Sequence, residues 1–226
     1  MKLDQSPYWC EPDLAITFPP VGVRPPQLYA YPPPKPPVQL LLIGWNPPRP
    51  FGGFWSLDHP DELREALHDI FRRLGRISAP SPDGDFLDEF RTAGYYFIHA
   101  VKCWTAPAYP GFGRGRRASD RVAMGIPLLR ACVAMHLAAE LKTLSPRRVC
   151  AFGELAYLAL REPGLYPHLP RNVRPGEGGH FNPNEYGLKW PLLYTCLPLG
   201  GGPRAGGRYR DIARGHLQRF LSEFAE

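Results

Sequence analysis

Asn46 is the first residue at which this sequence could do chemistry. It follows the apolar run Val38-Gln39-Leu40-Leu41-Leu42-Ile43 and sits within Gly44-Trp45-Asn46-Pro47-Pro48. An amide is uncharged and a poor base, but its carbonyl can hold a water while its NH2 bonds a neighbouring loop. The plain alternative is that Asn46 only caps the turn before Pro47. Phe51-Gly52-Gly53-Phe54-Trp55 follows at once. Phe54 offers a face for a planar ligand, with Phe51 or Trp55 as alternates, although Trp55 reads better as a core aromatic. His99 is a second polar candidate, because a neutral imidazole presents one donor and one acceptor on opposite sides of the ring. A satisfied core histidine is the alternative there. Arginines cluster twice, at Arg114, Arg116, Arg117 and Arg121 and at Arg204, Arg208, Arg210 and Arg214. The second cluster overlaps Gly200-Gly201-Gly202 and Gly206-Gly207, where backbone can approach a ligand closely and arginines can meet phosphates.

The elements that must position these residues follow from pattern. A short, branched, apolar run such as Val38–Ile43 suits a strand buried on both faces. Ser56 to Leu63 is a helix-start signal with acidic residues in its first turn. Leu63, Leu67, Ile70, Phe71 and Leu74 recur at helical spacing, and Gly75 closes the helix. A short helix over Phe86–Arg91 and a strand over Tyr95–Val101 come next. A long helical pattern from about Asp120 to Leu144 is interrupted at Pro127. Arg147–Gly153 gives a third strand, Glu154–Leu160 a helix, and Leu192–Leu197 a fourth strand. Residues 161–189 read as irregular, and a last helix covers Tyr209–Phe224. Strands alternating with helices predict an α/β fold: a three-layer α/β/α sandwich around a four-stranded, mainly parallel sheet. In such sheets ligands bind beyond the carboxyl ends of the strands, which is where Asn46 falls.

The 226 residues suffice for one sizeable core. Residues 1–37 form a proline-rich arm, with Pro32-Pro33-Pro34-Lys35-Pro36-Pro37 at its end, and 38–226 form the domain. The arm is unsuited to a sheet interior. It packs over the surface through Tyr29 and Tyr31, or serves as a ligand for an SH3-like partner. Lys plus Arg number 27 against 21 Asp plus Glu, a net charge of +6, which leans toward a polyanionic partner. No apolar run reaches the roughly 20 residues of a membrane span. The first residues lack the basic-then-apolar layout of a signal peptide, so a cytoplasmic location is expected. Five cysteines without a CxxC pair argue against a disulfide framework. Cys150 and Cys196, in strand-like runs, read as buried thiols.

In order and spacing these motifs resemble the uracil-DNA glycosylase superfamily over roughly residues 38–224. Gly44-Trp45-Asn46-Pro47 is similar to the G-x-N-P motif of its single-strand-selective and mismatch-specific branches. Phe97-Ile98-His99-Ala100-Val101-Lys102-Cys103 resembles the strand ending in Lys-Cys of the iron–sulfur branches. Leu141 to Gly153 resembles the helix, proline, strand and glycine those branches place next.

The resemblance implies a monofunctional DNA glycosylase of base-excision repair. A damaged base leaves the DNA stack and enters a pocket, and its glycosidic bond is hydrolysed by a water that Asn46 positions. Gly44, Trp45, Phe51, Phe54 and His99 would bind the base. Arg114, Arg116, Arg117, Gly201, Gly202, Arg204 and Arg208 would contact DNA, with Leu199 or Pro203 as a wedge in the vacated stack. A monomer that binds DNA and no membrane is the expected state. Two departures matter. His99 stands where uracil-reading branches carry Asn, so other lesions are open. Leu197-Pro198-Leu199 stands where the family commonly has His-Pro-Ser. No cofactor is expected: an iron–sulfur cluster needs four thiolates, and only Cys103 and Cys132 fall near expected positions. Two other readings stand beside this one: a DNA-binding protein that kept the fold and lost the reaction, and a nucleotide binder using Gly200–Gly207. The latter is no Walker loop, because no Lys-Ser or Lys-Thr follows the glycines.

Overall fold

A computed structural model describes residues 33–45, 54–55, 57, 60–101, 133–161, 165–171, 173–174, 176–199 and 206–223. Five strands form one sheet: β1 (Leu40–Gly44), β2 (Tyr95–His99), β3 (Val149–Phe152), β4 (Gly179–Phe181) and β5 (Leu192–Thr195), in the order β2-β1-β3-β5-β4. The first four neighbours pair in parallel and β4 runs antiparallel to β5. The sheet is thus an α/β sheet as expected, with five strands rather than four. The extra strand, β4, lies in the segment expected to be irregular. Three residues at a sheet edge need only the ladder to β5 to hold them, and so short a run carries no alternating pattern. A one-turn helix follows it over Pro183–Tyr186, with proline in its first turn.

With that one as α5 (Pro183–Tyr186), the helices are α1 (Glu62–Arg73), α2 (Gly84–Thr92), α3 (Ala138–Leu144), α4 (Gly153–Arg161) and α6 (Gly206–Glu223). A single wide turn over Val133–Leu137 leads into α3. The expected helix from Asp120 is therefore described only from Val133. Asp61 caps α1, its carboxylate accepting from the Arg64 amide at 2.8 Å. Gly75 follows the last turn, as the sequence predicts.

β1 is the centre of this arrangement. All five of its residues are buried, as a parallel strand covered on both faces requires. α4 packs across β1, β3 and β5, while α1 and α6 pack against each other. The right-handed crossover rule places the β1-to-β2 helices and the β3-to-β5 helix on opposite faces. The chain leaves β1 toward β2 on one side and returns to β3 on the other. In open α/β sheets ligands bind at such a reversal, beyond the carboxyl ends of the strands, which here means the ends of β1 and β3.

Candidate site at the carboxyl edge of the sheet

The segment before Asn46 is fixed from both sides of the chain. Gly44 pairs with His99 in the β1–β2 register. The pairing continues past the strand ends: the Ala100 amide donates to the Gly44 carbonyl at 2.8 Å and the Val101 amide to the Trp45 carbonyl at 2.8 Å. Residue 44 has to be glycine on packing grounds. A Cβ there would lie 2.7 Å from Cζ of Phe97, a fully buried ring. Trp45, half-buried, packs against the core.

The chain is fixed again where residues 46–53 end. Phe54 is 1% exposed. Its ring centroid lies 4.8 to 6.2 Å from those of Trp55, Phe86, Phe90 and Phe97. The Trp55 indole donates through Nε1 to the Phe97 carbonyl at 2.9 Å and stacks on Tyr96 at 4.8 Å. Arg64, buried on α1, donates through Nη1 to the Phe54 carbonyl at 3.2 Å and through Nε to the Pro82 carbonyl at 2.7 Å. A guanidinium in this setting acts as a clamp on two loop carbonyls.

These positions correct one expectation and support another. Phe54 is a core residue with no free face for a flipped base; the surrounding aromatics occupy its faces. It packs there against the aromatic layer formed by Phe86 and Phe90 of α2 and Phe97 of β2. Trp55 is a core aromatic, the reading the sequence favours. His99 is half-buried at the end of β2, its ring edge-on to Phe97 at 4.8 Å. It therefore stands beside Gly44 at the same sheet edge. Asn46, Phe51, Arg114, Arg116, Arg117, Gly201, Gly202 and Arg204 lie outside the described residues, as do Cys103 and Cys132.

The edge continues across β3 and β5. Gly153 begins α4 directly after β3, and the Cβ of Leu197 lies 3.9 Å from where a Cβ on Gly153 would sit. Leu197 is 37% exposed, one of two large apolar residues left in solvent among the described residues; Leu57 is the other. Leu199 is half-buried and packs against the core, so it is no free wedge in this conformation. Arg208 is exposed in the first turns of α6, while Arg214 pairs with Asp211 at 2.9 Å.

The chain matches no protein-family model. No curated protein matches it significantly either.

Two features escape a reading by motif. Arg64 has the spacing of a helix surface position, and only the structure reveals its two carbonyl partners. His216 falls on the stripe Ala213, His216, Leu217 and Phe220 of α6, all buried. A histidine on an otherwise apolar helical stripe is the signal that would have singled it out. Its Nδ1 lies 2.7 Å from the hydroxyl of Thr195, the last residue of β5. Burial, with Arg219 and His180 adding to it, holds its pKa below the usual histidine value.

The cysteine thiols of Cys150 and Cys196 are free and buried, and burial pushes both pKa values up. Neither is therefore a ready nucleophile. Among the described residues no three His, Cys, Asp or Glu side chains gather as they would around a metal ion. Among those residues, too, no helix is long and apolar enough to cross a membrane.

Proposed function

We propose that this chain is a monofunctional DNA glycosylase whose water-positioning residue is Asn46. One observation carries this reading. The segment Gly44-Trp45 is locked to Ala100 and Val101 at the carboxyl edge of the sheet, immediately before Asn46 and beside His99. An amide launched from so rigid a base can hold a water in one place, which is most of what an uncharged residue can contribute to hydrolysis. The edge also carries His99, whose single donor and single acceptor could engage the edge of an extruded base. Arg208, exposed at the start of α6, is available to a phosphate. The net charge of +6 favours the same polyanionic partner. Base stacking, if residue 54 is excluded by its burial, falls to Phe51.

The test is strand release after alkali from oligonucleotides carrying uracil, hypoxanthine, hydroxymethyluracil or mismatched thymine. Release on at least one substrate, abolished in Asn46→Ala, is the expected outcome. No release on any of them, with DNA binding intact, would instead support the second reading: a DNA-binding protein of the same fold that has lost the reaction. Leu197 favours that second reading, since an exposed apolar side chain stands where the resembling family commonly places a histidine. Nucleotide binding without DNA binding in a thermal-shift screen would overturn both.

A further inference from the structure

A polar constellation at the end of β5 has no part in the reaction proposed above. Thr195 is fully buried and His216 is 6% exposed, and the hydroxyl of one meets Nδ1 of the other at 2.7 Å. Gly178 lies against the same imidazole. A Cβ at position 178 would fall 2.7, 2.8 and 2.9 Å from Cε1, Nδ1 and Nε2 of His216. Gly178 also has φ +69°, so both backbone conformation and space demand glycine there. The residue after β5 is tied to the same helix, because the Cys196 thiol donates to the Tyr209 carbonyl at 3.5 Å. One imidazole therefore joins the end of β5, the approach to β4 and the third turn of α6.

The charges around it are mostly committed elsewhere. On α6, Arg219 lies near enough to disfavour a second positive charge, and Asp211 pairs with Arg214 at 2.9 Å. On β4, His180 acts in the same direction, with its own Nδ1 2.9 Å from Glu223. Glu177, just before Gly178, reaches Arg174 at 3.5 Å. The end of β5 offers the Thr195 hydroxyl, and the residue after it the Cys196 thiol, whose pKa burial raises. On α1, which packs on α6, Arg64 and His68 bond to backbone carbonyls and Asp69 pairs with Arg73.

We infer that His216 is an acid-sensitive clamp: neutral, it locks the carboxyl end of β5 to α6, and protonation frees the two. A charged ring held between Thr195 and Gly178 would sit beside the Arg219 cation and the His180 ring, cut off from water. Moving the ring into solvent relieves that cost. The clamped span, Thr195 to His216, includes Arg208. If the glycosylase reading is right, the contact of Arg208 with DNA loosens along with the clamp, but the clamp does not depend on that reading.

Hydrogen exchange read by mass spectrometry tests this on the full chain at about pH 7.5 and about pH 5.5, corrected for intrinsic exchange rates. Peptides covering 192–199 and 206–216 should lose protection about tenfold at the lower pH while β1 and β3 peptides keep theirs. Thr195→Val removes the hydroxyl and should show that loss already at the higher pH. His216→Gln stays neutral at both values and should show no pH dependence, so it decides the matter even if the valine variant fails to fold. Unchanged protection of the wild type at the lower pH overturns the clamp. So does equal loss in β1 and β3, or pH dependence that survives in His216→Gln.

Discussion

The ring of Phe97 fills the space that a Cβ on Gly44 would need, its Cζ lying 2.7 Å from that position. The glycine of the G-W-N-P motif is thus explained by packing beneath the site before any ligand is considered. Phe97 cannot easily yield. Phe54 and His99 both lie 4.8 Å from it, ring centroid to ring centroid.

Gly44→Ala is therefore an overpacking substitution, and such changes cost about 1–3 kcal/mol. Urea unfolding should show a lower midpoint with an unchanged slope. Because His99 leans on Phe97, the histidine ring should also shift, visible as changed imidazole resonances. A variant as stable as the wild type with His99 undisturbed would show that Phe97 has room to move.

Arg64 offers a sharper test of what holds the segment around Asn46. Its guanidinium serves the carbonyls of Phe54 and Pro82. Arg64→Met keeps most of the side-chain volume but leaves those carbonyls without this donor. Leaving buried polar groups unpaired costs about 1–3 kcal/mol each, so the loss should exceed that of an ordinary surface substitution. Proteolysis within residues 46–53 should accelerate more than cleavage elsewhere. Equal acceleration everywhere would mean that Arg64 supports global stability alone.

The fold was legible because each of its main strands carries its own signal. Leu40–Ile43 and Leu192–Leu193 are apolar throughout, as parallel strands covered on both faces must be. β4 was not legible: Gly179-His180-Phe181 is too short for periodicity and is defined by its partner. The site was legible in part. Gly44 and His99 could be placed at the sheet edge because motif and strand end coincide, while Asn46 lies just outside the described residues. Phe54 misled, since an aromatic after a glycine pair looks the same whether it faces a ligand or the core. Only the tertiary placement of α2 and β2 around it decides. The Thr195–His216 pair spans 21 residues and two elements, and no local pattern encodes such a contact.

Glu89 should make stability fall in acid. Its carboxylate accepts from the Ser78 amide at 2.7 Å, the Ser78 hydroxyl at 2.9 Å and the Ala79 amide at 2.7 Å. The bond from the Ser78 amide is the largest cause holding its pKa below the usual glutamate value of 4.5. A carboxylate whose pKa is lower in the folded state contributes stability above its unfolded pKa. That contribution is lost as pH falls through the folded value. Glu89→Gln should be less stable than the wild type near neutrality, and the gap should close below about pH 4. A gap that stays constant from neutral to acid would mean that the carboxylate charge contributes nothing.

Under the glycosylase proposal, Arg208 should separate DNA binding from chemistry. It is exposed near the start of α6, where no acidic residue stands in the first turn. A phosphate contact releases counterions, so removing one should reduce the slope of log affinity against log salt by about 1. Arg208→Gln should weaken binding to single- and double-stranded oligonucleotides of any sequence, most at low salt. Cleavage at saturating protein should stay close to wild type, because the residue would position DNA and not the water. Asn46→Ala should do the reverse, keeping the salt slope and losing cleavage. If Arg208→Gln instead lowers single-turnover cleavage at saturation while leaving the slope unchanged, its role lies at the reacting base and the division of labour between β1 and α6 proposed here is wrong.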